Sequence, residues 1–256
     1  MIFLWALVGV IILMTLLWIV SIPLKNVSIV DLFWGIGFIV ANSVYFFFDG
    51  DMFSRNVLVY VLLGIWGLRL SVYLLIRNYG KGEDFRYQEF RRHYGPHRYW
   101  WFSFFQVFLL QGVLIMLVSL PLLGVRTQTL NNELNVIDYI AVLVWIVGFL
   151  FESVGDYQLA RFKKDPTNKG KVLDSGLWRY TRHPNYFGDA AVWWSFGLFS
   201  LASGAYWHIV GSLLMTYLII KISGVSLLES SLHKAKPQYK EYIAKTNAFI
   251  PWFPKK

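Results

Sequence analysis

Seven apolar stretches run through this chain, at roughly 2–22, 28–48, 56–77, 104–124, 137–156, 186–203 and 206–226. Each is close to the ~20 residues an α-helix needs to cross the hydrocarbon core of a bilayer. In hydrocarbon an open strand edge leaves its N–H and C=O groups without partners, so such stretches must be helical. The even alternation of a membrane β-barrel is absent. Only 15% of the 256 residues are charged, against about 25% in a typical soluble domain. The expectation is an all-α integral membrane bundle of seven transmembrane helices, forming a single membrane domain over 1–256. The opening run MIFLWALVGVIILMTLLWIV lacks a basic n-region and is too long for a signal h-region, so it is expected to be a retained first span. The last two stretches are separated by little more than Gly204-Ala205, which predicts a tight helical hairpin.

The formal net charge is +9. Lys and Arg concentrate in three places: the 78–103 loop, the 157–185 loop and the tail after 226. The alternate loops, 49–55, 125–136 and 203–205, hold few or none. With seven spans the three basic regions fall on one side, which places the N-terminus outside and the C-terminus in the cytoplasm. Basic flanks of apolar spans also account for the charge without nucleic acid. The chain has no cysteine, which excludes disulfides, thiolate catalysis and cysteine-based zinc sites. No GxGxxG after a strand, P-loop or HExxH is present. No metal site and no protein partner are expected.

Polar side chains inside apolar stretches cost a few kcal/mol near the membrane centre and so point to function. They are Asp31, Arg69, Gln106, Gln111, Glu152, Asp156 and Lys221. Asp31 and Lys221 lie near stretch ends, where snorkelling to the interface is an equal reading. Arg69 and Gln111 lie deeper and predict a polar cavity among the helices. The loop GKGEDFRYQEFRRHYG, residues 80–95, reads as a solvated charged loop; the alternative is a cofactor contact from Glu83, Asp84, Arg86 or Tyr87.

The densest chemistry is LWRYTRHPNYFGD, residues 177–189. Pro184 suits the first turn of a helix, and clustered Arg and His at a helix N-terminus suit an anion. Asn185 and Asp189 are four apart, so a helix sets an amide and a carboxylate on one face. Trp178 and Tyr180 add stacking surfaces. A basic flank with aromatic anchors explains Arg179 and Arg182 alone, but not Asn185 and Asp189 together. The inventory therefore favours a nucleotide-bearing cofactor held by Trp178, Tyr180, Arg182, His183, Asn185 and Asp189. In the tail, Glu229 follows the last span, and Tyr239 and Tyr242 lie three apart on an expected short helix. That helix reads equally as a lid over the motif or as an interfacial amphipathic helix.

The motif resembles the membrane superfamily of steroid 5α-reductases, sterol reductases and isoprenylcysteine carboxyl methyltransferases. The chain is most similar to the bacterial 5α-reductase-like branch, the DUF1295 group. VDLFWGIGF, EDFRYQEFR, FQVFLLQG, GDYQLARFK and YKEYIAKTNAFIPW carry the likeness beside RHPNYFGD. The resemblance implies NADPH as cofactor, held by about 137–256 and facing the cytoplasm of a bacterial inner membrane. It implies an oxidoreductase that reduces a Δ4-3-oxosteroid, or a similar lipophilic enone arriving from the bilayer, at the β-carbon. Methyltransferases of the superfamily use S-adenosylmethionine and have a small or apolar residue after the motif glycine. Asn185 and Asp189 match the reductase form, in which they meet the nicotinamide end. Asp156 with Arg161, Lys163 and Lys164 fits the phosphate-holding stretch, and Tyr239 and Tyr242 fit the tail of the site. The Gln-Glu pair and third-helix tyrosine of steroid reductases are not matched. Trp34 and Trp66 stand in those regions and are expected, with Arg69 and Gln111, to line the substrate cavity. Asp31 is the nearest acid, and Asp31 and Tyr242 are the catalytic candidates.

Overall fold

The computed structural model describes residues 1–48, 54–127, 133–223, 225 and 239–255. Among these the chain is helical throughout, with no strand. The helices are α1 (Ile2–Leu24), α2 (Ile29–Leu32), α3 (Trp34–Phe47), α4 (Ser54–Asn78), α5 (Phe85–Tyr94), α6 (Pro96–Ser103), α7 (Leu110–Val118), α8 (Leu120–Thr127), α9 (Val136–Lys164), α10 (Pro184–Ala202), α11 (Val210–Tyr217) and α12 (Tyr239–Lys245). Among the described residues four runs are long and apolar enough to cross a membrane: Ile2–Leu24, Ser54–Asn78, Pro96–Val118 and Val136–Lys164. Two shorter apolar runs are Trp34–Phe47 and Tyr206–Ile222.

The expected stretches differ from these helices in instructive ways. Residues 28–48 are not one helix: the backbone breaks at Phe33 (φ −101, ψ 8) between α2 and α3. The 14 residues of α3 reach only ~21 Å at 1.5 Å per residue. The fourth stretch begins earlier than its apolar signal, at Pro96, because proline suits a first helical turn after Gly95 with φ 75. It then passes through a π-helical segment, Phe104–Leu109, and stops at Ser119 before α8. A second π-helical segment, Leu218–Ser223, follows α11. The predicted last span runs into residues 226–238, which lie outside the described residues, as does Glu229.

The chain divides into two compact units, Met1–Leu134 with Ser203–His208, and Asn135–Ala202 with Ile209–Lys256. In unit 1, α1 buries Ala6, Val10, Met14, Leu17 and Ser21, a stripe at helical spacing. Its other face exposes Leu4, Trp5, Val8, Ile12, Leu16 and Ile19. So large an apolar face is stable only against lipid or another apolar surface. Lys25 ends α1 in the left-handed conformation (φ 49). Helices α3 and α4 touch through glycine: a Cβ on Gly67 would lie 2.9 Å from the Gly35 carbonyl oxygen. A Cβ on Gly37 would lie against Ile115 of α7, and one on Gly112 of α7 would lie 3.3 Å from Met14 of α1. At one end of the unit Trp18 donates to the Trp100 carbonyl (2.8 Å) and Val27 N–H donates to Glu83 (2.8 Å). The ends of α1 and α4 and the start of α6 therefore share that end. At the other end Arg126 donates to the Tyr45 carbonyl (2.9 Å) and Arg55 to that of Glu133 (2.9 Å).

In unit 2, α9 begins with a capping box: Asn135 accepts from Ile137 N–H (2.9 Å) and Asp138 accepts from Asn135 N–H (2.8 Å). Helix α10 runs antiparallel to α9, so Asn135 also donates to the Ala202 carbonyl (3.3 Å) at the far end of α10. Between those ends the two backbones nearly touch. A Cβ on Gly188 would lie 2.5 Å from the Gly148 carbonyl oxygen and closer still to Glu152 N–H. A Cβ on Gly148 would lie 2.7 Å from Val192 N, and one on Gly155 3.1 Å from Asn185 N. Helix α11 returns along α10, tied by Trp194 to Thr216 (3.0 Å) and by Ser212 to the Trp193 carbonyl (2.6 Å).

Gly188→Ala is expected to destabilise the protein by at least about 1–3 kcal/mol, the usual range for overpacking, because a backbone cannot step aside as a side chain can. Gly64→Ala meets nothing within 4 Å and should be neutral or stabilising, by up to about 1 kcal/mol, from helix propensity. Thermal unfolding of both variants in detergent checks this: equal melting points would refute the close-approach account.

Candidate functional site

The chemistry of unit 2 collects where α9 ends and α10 begins. Because α9 and α10 approach at Gly155, the first turn of α10 lies against Asp156, which is buried. Asn185 donates its Nδ2 to Asp156 Oδ1 (3.1 Å). A carboxylate only accepts, so this bond fixes which way the amide faces. Its carbonyl oxygen, Oδ1, is buried and has no hydrogen-bond partner among the described residues. Asp189 sits one helical turn further on, half-buried. Glu152, one turn before Asp156, is buried beside Gly188. The structure thus sets a fixed acceptor within a small acidic cluster. Among the described residues no group of His, Cys, Asp and Glu could hold a metal ion.

The segment leading into α10 is held by backbone-directed bonds. Gly176 has φ +61, and a Cβ there would lie 2.5 Å from the Gln158 amide. This position therefore favours glycine on both conformational and steric grounds. Gln158 in turn accepts from Leu177 N–H (3.0 Å). Trp178 is buried and donates its indole N–H to the Gly155 carbonyl (3.1 Å). Its ring supports the α9 turn that carries Asp156.

The tail then straps across residues 178–183. Tyr242 donates its hydroxyl to the Trp178 carbonyl. Thr181 donates to the Phe249 carbonyl (2.9 Å), Arg182 N–H to that of Asn247 (2.9 Å), and Trp252 N–H to that of Tyr180 (2.9 Å). The buried Arg182 guanidinium donates to the carbonyls of Ile243 (3.3 Å) and Thr246, at the end of α12. A cation there satisfies the open carbonyls of a helix C-terminus and complements its dipole. Burial, with Tyr239 beside it, pushes the Tyr242 phenol above its ordinary pKa, which keeps it protonated as a donor. These bonds set the tail against residues 178–182 as a strap on the motif.

The remaining expected residues of unit 2 separate by exposure. Arg161, Lys163 and Lys164 are exposed in the last turn of α9. Tyr180 is partly exposed, its ring edge against Phe253 at 6.0 Å. His183 is buried and stacked on Tyr186 at 5.5 Å. Tyr239 is buried, its ring 5.8 Å from that of Tyr242.

Unit 1 holds the other candidates. Trp34 donates its indole N–H to Gln111, and the rings Trp34–Phe38 (5.3 Å) and Phe38–Trp66 (5.9 Å) continue the cluster. Trp66 is fully buried there. Arg69 sets its guanidinium over Tyr73 of the same helix, 5.8 Å from the ring centre. Gln106 and Lys221 lie in the two π-helical segments, the wide turns that helices adopt where an extra residue must be accommodated. Asp31 accepts from Arg86 (2.9 Å) and Tyr87 (2.7 Å).

The loop at 80–95 is therefore more than a solvated charge run. Asp84 caps α5, accepting from the N–H (3.0 Å) and Nε (2.8 Å) of Arg86. Glu83 is clamped by both arms of Arg91, each at 2.9 Å. Burial raises the pKa of Asp84, but the hydrogen bonds and charge of Arg86, with Arg77 further off, bring it below the ordinary carboxylate value.

Sequence reasoning missed Gln158, Thr181, Thr246 and Asn247. Their partners lie across turns or more than sixty positions away, so only the glycine spacing along α9 and α10 hinted at the packing. Arg182→Ala would leave two α12 carbonyls without their cation. Amides 239–255 should then exchange at least about tenfold faster, on the scale of losing a charged hydrogen bond, while the α9 amides stay protected. Hydrogen exchange with mass spectrometry reads both, and an unchanged tail would refute the strap.

With that geometry established, comparison with known proteins is informative. Over 263 residues the chain is 28% identical to an uncharacterized protein of Schizosaccharomyces pombe, covering 92% of this chain and 75% of that one. Over 62 residues it is 44% identical to a protein of Ustilaginoidea virens described as a probable O-methyltransferase, covering 24% of this chain and 21% of that one. No solved structure matches the chain at a significant level. Residues 17–246 match the family described as Protein of unknown function (DUF1295), and the chain belongs to that family.

Proposed function

We propose that this protein is an NADPH-dependent membrane reductase acting on a lipophilic enone, of which a Δ4-3-oxosteroid is the type, with unit 2 as the cofactor-binding half. The observation that carries this reading is Asn185: its Nδ2 is held by Asp156 while its Oδ1 is buried, with no partner among the described residues. Such an acceptor costs on the order of 1–3 kcal/mol to leave unmade, and a carboxamide N–H of the kind nicotinamide carries would satisfy it. When bound, the cofactor would supply a hydride equivalent. Asp156 sets the Asn185 amide, and Asp189 offers a second acceptor from the same helix face. The exposed Arg161, Lys163 and Lys164 are the cations for phosphates at the polar end. Trp178, Arg182 and Tyr242 act as positioning residues that hold the approach to α10 through the strap. The clustering of basic residues favours a multi-pass arrangement of seven spans with this site facing the cytoplasm.

A second reading is methyl transfer from S-adenosylmethionine, favoured by the 62-residue similarity to the probable O-methyltransferase. The Asn185 acceptor would then meet the ammonium of that cofactor. Titration of the purified protein with each cofactor separates the two. The reductase reading expects NADPH to bind, with Asn185→Ala and Asp189→Ala each weakening it about five- to tenfold, the scale of one lost hydrogen bond, in protein that still purifies folded. Binding of S-adenosylmethionine without NADPH, or wild-type NADPH affinity in both variants, overturns it.

A further inference from the structure

Unit 1 contains a cavity of about 340 Å³ where the ends of α1 and α4 meet the 80–95 loop, lined by Asn26, Ile29, Leu32, Leu75, Asn78 and Lys81, with the 82–84 turn. That volume falls in the range of small-ligand sites. Its lining also includes Tyr79 and Gln88, whose Nε2 donates to the Glu83 carbonyl (2.6 Å) and leaves one amide oxygen as an acceptor; the other open side-chain groups are mainly donors. Asn26 Oδ1 is used by the N–H (3.0 Å) and hydroxyl (2.5 Å) of Ser28, which leaves the Asn26 NH₂ as a donor. Asn78 Oδ1 accepts from Arg77 Nε (3.1 Å), which likewise leaves its NH₂. Lys81 has no side-chain partner among the described residues. The carboxylates at the cavity are committed: Glu83 to Arg91 and Val27 N–H, Asp84 to Arg86. Two amide donors and one ammonium therefore share this lining with the apolar side chains of Ile29, Leu32 and Leu75.

We propose that this cavity binds the phosphate of an anionic phospholipid. The headgroup phosphate would meet Asn26, Asn78 and Lys81, and the start of its acyl chains would cover Ile29, Leu32 and Leu75. A headgroup site belongs where apolar helices give way to charged loops, and α1 and α4, two of the four runs able to cross a membrane, both end here. The donor set matches the acceptor oxygens of a phosphodiester, and the apolar side chains match a chain rather than water. Near an anionic surface a lysine is worth about 1 kcal/mol, or about fivefold in affinity. The site lies wholly in unit 1 and stands whether or not unit 2 takes a dinucleotide.

The test is native mass spectrometry and thermal unfolding of the full chain, delipidated and offered mixed micelles of detergent with phosphatidylglycerol, phosphatidylcholine or neither, and separately inorganic phosphate. The expected result is a retained phosphatidylglycerol adduct and a raised melting temperature. Lys81→Ala with Asn78→Ala should weaken retention at least about fivefold. Lys81→Arg alone, which keeps the cation, should leave retention near that of the unaltered protein. Leu32→Phe, which enlarges an apolar lining residue without touching a donor, should also lower retention. Equal stabilisation by inorganic phosphate, lost in the same double variant, would assign the site to a free anion and overturn the lipid. Undiminished phosphatidylglycerol retention in the double variant and in Leu32→Phe would overturn the site.

Discussion

The contact on which unit 2 depends is the close approach of α9 and α10 at Gly148, Gly155 and Gly188. Apolar side chains gain little by leaving lipid for one another, so helices in hydrocarbon associate through close packing and hydrogen bonds, which small residues permit. Here the backbones come so near that no Cβ fits at Gly188. Everything distinctive about the site follows from that distance. It brings Asn185 within hydrogen-bond reach of Asp156 and lets the Trp178 indole reach the Gly155 carbonyl. A helix pair set apart by leucines would carry the same polar residues without joining them.

A second layer of order comes from the tail. Arg182 reads from its neighbours as one more interfacial cation, yet it is buried and faces carbonyls of α12, more than sixty residues on. With Thr181, Tyr242 and Trp252 it joins the motif and the C-terminal segment into one hydrogen-bonded piece. Aromatic and basic residues that composition offers as cofactor contacts are in part the means by which the approach to α10 is held rigid. The proposed cofactor contacts are then fewer, with Asn185 and Asp189 foremost.

Much of the architecture was legible because lipid exposure imposes a simple pattern. Helices α1, α4 and α9 coincide with long uninterrupted apolar runs, whose length follows from bilayer thickness. The second stretch shows where that pattern fails: α3 is apolar as expected, but Phe33 ends the short α2 before it. The short α2 carries Asp31, whose partners Arg86 and Tyr87 lie fifty-odd residues away and give no local signal. The 80–95 segment fails in the same way. Its charges look solvated along the chain, yet Asp84 caps α5 and Arg91 clamps Glu83 within the segment, and Val27 N–H reaches Glu83 from fifty-six residues away.

Sequence by itself determined that this chain is a helical membrane protein, that polar and aromatic residues cluster at 177–189, and that Asn185 and Asp189 share a helix face. These depend on burial in hydrocarbon, on residue type and on the helical repeat, all of which are local. The tertiary structure alone decided which partner each polar group takes. Asn185 turns its amide to Asp156, Arg182 turns inward to α12, and the uncommitted donors of Asn26, Asn78 and Lys81 face one cavity. Those choices depend on distances between segments far apart in the chain, and a hydrogen bond that weakens within a fraction of an ångström cannot be read from spacing alone.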